Sequence, residues 1–203
     1  MTSLLGLQRR ILTTLKKRKR RLISLAFITL SIVVGMHMIA KDGITRYEKL
    51  LSVIIYDRNN LPLHIEENEK GLYAYPLDTV PPELASLLIQ KEDRFFYYHF
   101  GVNPLSTLRA LTYLVLGKHT GGASTISQQL AKNILHTETE RTFTHKATEA
   151  LYAISLELFL PKDEILTMYT NTVFLGNQLQ GLESGSRAYF NKSLAQTSPE
   201  EQI

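Results

Sequence analysis

The 203-residue chain carries 23 Lys and Arg against 19 Asp and Glu, a formal net charge of +4, with 44% hydrophobic residues and no cysteine. This composition belongs to a folded chain with one domain of ordinary size, and it excludes disulfides, thiolate metal sites and a cysteine nucleophile. Eight of the basic residues lie in residues 1–21, leaving fifteen basic against nineteen acidic residues beyond them, so the folded part lacks the basic surface of a nucleic-acid reader.

The basic tail, residues 1–21, is followed by Leu22–Ala40, a stretch without a formal charge. About twenty apolar residues span a bilayer as a helix. A cleaved signal peptide has a shorter apolar region, roughly 7–15 residues, and a small-residue site that Met36–Gly43 does not offer. A buried soluble helix is the competing reading, but it has no need of a flank of uninterrupted positive charge. An uncleaved transmembrane anchor is expected at 22–40, with the tail cytoplasmic and residues 41–203 on the far side of the membrane.

Residues 41–49 read as a polar connector, and residues 50–203 as one domain. Ser52–Tyr56 and Leu61–Ile65 are β-type runs around Asp57-Arg58-Asn59-Asn60, a hairpin with its turn. Val80-Pro81-Pro82-Glu83 starts a helix, since proline is tolerated in a first turn, and its apolar spacing runs to Glu92. Asn103-Pro104 caps the next, to about Leu116, with Gly117 ending it. Ser124 is a good N-cap for a third helix to about Leu135. A long one follows from about Thr142 to Leu160, stopped by Pro161. Others start near Lys162 and surround Gly181–Phe190. At the end, Ser198-Pro199-Glu200-Glu201 announces a helix that the remaining residues do not deliver, so a domain shortened at its C-terminus is expected. The fold class expected is mainly α with a small N-terminal β-hairpin.

Two polar blocks carry the chemistry. In the first, Glu92-Asp93-Arg94-Phe95-Phe96-Tyr97-Tyr98-His99-Phe100-Gly101, Glu92 ends a largely apolar helix beside aromatic bulk, a setting suited to a general base. Asp93 reads as a cap or a partner of Arg94, and His99 as a structural histidine, because no second ligand sits at metal spacing. Taken alone, Glu92 reads better as a surface salt bridge.

The second block is Gly121-Gly122-Ala123-Ser124-Thr125-Ile126-Ser127-Gln128-Gln129-Leu130-Ala131-Lys132-Asn133. On a helix from Ser124, Gln128 and Lys132 share a face, as do Gln129 and Asn133, while Ile126, Leu130 and Ile134 form the buried stripe. The glycines permit close approach of a ligand to backbone, the first-turn amides favour an anion, and Lys132 adds a point charge. On spacing alone, a solvated amphipathic helix is the better reading. In the long helix Lys146 precedes Glu149 by one turn, an ordinary ion pair. Glu149, Ala153 and Glu157 share one face, and Leu151, Ile154 and Leu158 make the apolar side.

These blocks, in this order, resemble the peptidoglycan glycosyltransferase domain, family 51, of class A penicillin-binding proteins and monofunctional transglycosylases. Its E-D-x-x-F-x-x-H-x-G block is matched by Glu92, Asp93, Phe95 or Phe96, His99 and Gly101. Its G-x-S-T-[IL]-[ST]-Q-Q-L-x-K-N block is matched from Gly122 through Asn133. His145-Lys146-Ala147-Thr148-Glu149 is similar to R-K-x-x-E, and Asn171, Gly176, Gly181, Glu183, Tyr189, Phe190 and Lys192 resemble the fourth block. The resemblance covers about residues 50–193. No S-x-x-K or K-T-G occurs, so a transpeptidase is excluded.

The resemblance implies a lysozyme-like glycosyltransferase that polymerises lipid II with inversion, transferring the glycan onto a sugar 4-hydroxyl and releasing polyprenyl diphosphate. Glu92 would be the general base and Glu149 the second catalytic glutamate. Ser124, Thr125, Gln128, Gln129, Lys132, Asn133 and Lys146 would bind sugar and phosphate. No cofactor is required, with Mg²⁺ the one candidate ion. The implied partners are lipid II, the growing lipid-linked glycan, the membrane and other cell-wall synthesis proteins, with no nucleic acid, in a single-pass protein of the bacterial inner membrane. The sequence departs from the family at His145 for Arg, Asn103 for Asp, Asn191 for Gly before Lys192, and Ser184-Gly185-Ser186 for an alanine-rich stretch. The alternative expectation is a shortened, non-catalytic relative that binds lipid II or glycan, or scaffolds other wall-synthesis proteins. A peptidoglycan hydrolase shares the fold class but leaves Gln128–Asn133 unexplained.

Overall fold

The computed structural model describes residues 2–116, 124–136, 142–198 and 201. Gly117, Gly121-Gly122, Pro199 and Glu200, all named above, lie outside the described residues. The chain divides into two compact units, Met1–Met38 and Ile39–Ile203.

The first unit consists of helix, the N-terminal part of α1 (Thr2–Glu48). Leu22, Leu25, Phe27, Leu30 and Ile32 are all exposed, and the helix is long and apolar enough to cross a membrane.

In the second unit, α1 continues to Glu48, so most of the expected connector is helical, and Ala40, Ile44 and Tyr47 pack into the core. The physical reason is spacing: 40, 44 and 47 lie on one helical face, and burying them outweighs the polar character of their neighbours. The hairpin follows as β1 (Ile54–Tyr56) and β2 (Pro62–Ile65), antiparallel, its turn tied by Asp57, whose carboxylate accepts the Asn59 and Leu61 amides at 2.8 Å each.

Five helices then build the domain: α2 (Pro82–Glu92), α3 (Pro104–Val115), α4 (Ile126–Leu135), α5 (Phe143–Phe159) and α6 (Lys162–Thr172), followed by α7 (Leu182–Phe190) and a short 3-10 helix, Leu194–Gln196. Asn103 caps α3, its side-chain oxygen accepting the Leu105 and Ser106 amides. Between α6 and α7 lies a second hairpin, β3 (Phe174–Gly176) and β4 (Leu179–Gln180), that the sequence reading passed over. Its turn places Asn177 and Gln178 at φ of 49° and 58°, the left-handed pair a two-residue hairpin requires. Asn191, where the resemblance leads one to expect glycine, also sits at a positive φ, 53°, which asparagine tolerates.

Helix α4 is the centre of the core. Ile126, Leu130 and Ile134 are fully buried, as expected, and pack with Phe96, Leu156, Ile165 and Tyr169. Each such side chain contributes roughly 1.5–3 kcal/mol. The face assignment of α5 is reversed: Leu151 and Leu158 are 44% and 51% exposed, while Glu149, Ala153 and Ser155 are buried. Close approach explains it. Gly101 lies against the α5 backbone, where an added Cβ would come within 2.6 Å of the Ala153 carbonyl carbon, so α5 turns its small and polar side inward.

Candidate active site

Helix α2 ends on Glu92, and the next residue leaves helical geometry (Asp93, φ −155°, ψ 76°), so two consecutive acids point to different surroundings. Asp93 turns inward. Its Oδ2 lies 2.8 Å from His99 Nε2 and accepts the Ile126 backbone amide at 3.1 Å, so its partners are His99 and the start of α4, not Arg94. A carboxylate there satisfies an otherwise unpaired first-turn amide and suits the positive end of the helix.

Glu92 stays half-buried, and its Oε2 accepts a hydrogen bond from Gln129 Nε2 at 3.1 Å. It borders a cavity of about 290 Å³ lined also by Arg94, Asn103, Arg109, Ser124 and Thr125. A larger cleft, about 580 Å³, between β2 and α7 has Arg187 and His64 among its lining residues but no acid.

The N-cap of α4 is Thr125 rather than Ser124. Thr125 has extended geometry (φ −76°, ψ 164°), its hydroxyl accepts the Gln128 amide, and the Gln128 side chain returns to the Thr125 amide, a complete capping box. The Thr125 hydroxyl also donates to the Gly101 carbonyl at 2.6 Å, joining the two blocks. Ser124 is thereby free of capping, and its hydroxyl accepts from Lys146 Nζ at 3.1 Å. The same ammonium donates to Glu149 Oε2 at 2.7 Å, and Glu149 is buried.

The residues singled out from sequence thus separate. Glu92, Ser124 and Thr125 line one cavity, Gln129 holds Glu92, and Lys146 and Glu149 join through Ser124. Gln128 is buried and committed to the cap. Asn133 faces α6, donating to the Thr172 carbonyl and hydroxyl at 3.3 Å each. Lys132 is partly buried on α4. Asn171 and Glu183 of the fourth block serve the framework. Asn171 clamps Leu77 and Tyr47. Glu183 accepts from Arg187 and from the Leu194 amide.

Several residues at the site escape sequence reading. Arg109 on α3 brings a cation into the cavity with Glu92. Beneath α4, Glu157 accepts from Ser127 and from Lys162, whose ammonium also donates to the His99 carbonyl at 2.7 Å and lies 4.5 Å from the Phe96 ring centroid. Tyr169 of α6 donates its hydroxyl to Gln129 Oε1 at 3.2 Å. Burial first, and then the nearby charge of Glu92, push the Tyr169 phenol up to about 12. Nothing in the sequence pattern singles Tyr169 out.

Among the described residues, no group of three or more His, Asp or Glu side chains converges as ligands for a metal. Glu92 and Glu149 are already engaged by Gln129 and Lys146.

Residues 59–203 match the transglycosylase family model. The chain is similar to penicillin-binding protein 1A of Escherichia coli, 40% identical over 129 residues, covering 63% of this chain and 15% of that protein. It is also similar to penicillin-binding protein 1B of Haemophilus influenzae, 38% identical over 167 residues, covering 77% of this chain and 21% of that protein. With penicillin-binding protein 1A of Neisseria lactamica it is 34% identical over 154 residues, 75% of this chain and 19% of that protein. The chain thus spans about a fifth or less of the length of these relatives.

Proposed function

Because the chain belongs to the transglycosylase family, glycosyltransferase family 51, we propose that it is a membrane-anchored peptidoglycan glycosyltransferase that polymerises lipid II. The observation that carries the reading is the Glu92 carboxylate at the edge of a polar, cation-bearing cavity, with one oxygen held by Gln129.

In this reading Glu92 takes the proton of the acceptor sugar 4-hydroxyl as general base. The oxygen attacks the anomeric carbon of the donor with inversion, the new glycosidic bond forms, and the bond to the diphosphate oxygen breaks. Diphosphate leaves as an anion and needs little protonation, so cations matter more than a general acid. Lys146, held between Ser124 and Glu149, and Lys132 on α4 are the groups assigned to that charge, and Glu149 fixes the position of Lys146. The apolar α1 helix supports the anchor, and the basic tail supports an N-terminus on the cytoplasmic side. Both substrates carry lipid tails, so an anchored enzyme meets them in two dimensions.

The test is polymerisation of labelled lipid II by the full chain. Wild type makes glycan polymer, and Glu92→Gln lowers the rate by about 10²–10⁴-fold, the range for loss of a general base. Binding of lipid II without polymer would replace this reading with that of a non-catalytic binder. Persistent activity in Glu92→Gln would remove Glu92 from the role of base.

A further inference from the structure

Resting on the reading of Glu92 as the base, we propose that Tyr169 is a positioning residue that locks the amide of Gln129 in the one orientation able to hold the Glu92 carboxylate. Three helices meet in this relay: Glu92 ends α2, Gln129 is in the middle of α4, and Tyr169 is in α6. Tyr169 Oη donates to Gln129 Oε1 at 3.2 Å, and Gln129 Nε2 donates to Glu92 Oε2 at 3.1 Å.

The chemistry of the amide makes the order of the relay matter. A glutamine side chain is nearly symmetric in shape but not in polarity, with an acceptor at one end and donors at the other. A carboxylate tolerates only the donor end. The Tyr169 hydroxyl donates to the acceptor end and so anchors the amide from the side opposite the carboxylate, and the phenol stays protonated across the working range because burial and the charge of Glu92 both favour the neutral form. Tyr169 is 6% exposed and packed among core side chains, so its hydroxyl does not swing away. One Glu92 oxygen is then committed to Gln129, leaving the other to accept the proton.

Tyr169→Phe removes only the hydroxyl and keeps the ring in the core. The Gln129 amide then loses the hydrogen bond at Oε1, and its hold on the Glu92 carboxylate loosens. In a lipid II polymerisation assay with the full chain, kcat falls by about three- to tenfold, with KM within about twofold, as expected for loss of one positioning hydrogen bond. The other charged groups lining the same cavity are Lys91, Asp93, Arg94 and Arg109, and none is altered by the substitution. In a Gln129→Ala background Tyr169→Phe has no further effect, because the hydroxyl acts only through that amide.

Equal kcat loss in both backgrounds, or a change in KM as large as that in kcat, would reduce Tyr169 to a packing residue and overturn the inference. Thermal unfolding of each variant separates loss of fold from loss of rate. An active wild type with an inactive Glu92→Gln keeps the parent reading whatever Tyr169→Phe does. An inactive wild type removes both.

Discussion

Glu92 and Asp93 differ by one position and by nearly every physical circumstance. Asp93 has a side chain 5% exposed, paired with an equally buried His99 and with a helix amide, whereas Glu92 opens onto a cavity. Removing the Asp93 carboxylate leaves two buried hydrogen-bonding partners, the His99 ring nitrogen and the Ile126 amide, unsatisfied. Asp93→Ala is therefore expected to destabilise the domain by about 1–3 kcal/mol in denaturant unfolding. Glu92→Gln should leave stability within about 0.5 kcal/mol while removing activity. If both variants unfold like the parent, the structural role given to Asp93 is wrong. The sequence made both acids visible but not their division of labour. That division depends on the backbone turn at Asp93 and on which elements it faces. Tyr169 was hidden for the same reason, since a tyrosine in the sequence reveals nothing of what its hydroxyl meets.

At the scale of elements, α4 organises the site, and its start explains how. The cap belongs to Thr125, which binds its own helix and the Gly101 carbonyl together. Thr125→Ala is expected to lower stability by about 1–2 kcal/mol, with Thr125→Ser recovering much of it. Ser124→Ala, whose hydroxyl faces Lys146, should change stability by less than about 0.5 kcal/mol, read in the same unfolding measurement. The opposite ranking would return the cap to Ser124. Helix boundaries were legible because Pro82, Asn103-Pro104, Thr142 and Pro161 act through local sterics and caps. The inward face of α5 was not. Hydrophobic spacing favours Leu151 and Leu158, but close packing on Gly101 and Ser127 selects Ala153 and Glu157 instead.

At the scale of the molecule, the basic tail and the apolar helix predict membrane insertion, and the domain predicts what is done there. Leu30→Arg places a charge near the middle of the apolar stretch, at about 2.5–3.5 kcal/mol of insertion free energy. The variant should shift from the alkaline-washed membrane fraction toward the supernatant, and equal retention would argue against a single-pass anchor. What the sequence determined by itself is whatever depends on chemistry along the chain. That includes a helix long and apolar enough to cross a membrane, the order of helices, the two polar blocks and the family they mark. Only the tertiary structure decided which polar groups of those blocks serve the framework and which face the cavity. Gln128 is consumed by a cap, Asn133 by α6 and Asp93 by His99, while Gln129, flanked by near-identical chemistry, holds Glu92. Hydrogen-bonding capacity is a property of a residue, but its use is fixed by partners distant in sequence, and those the fold alone supplies.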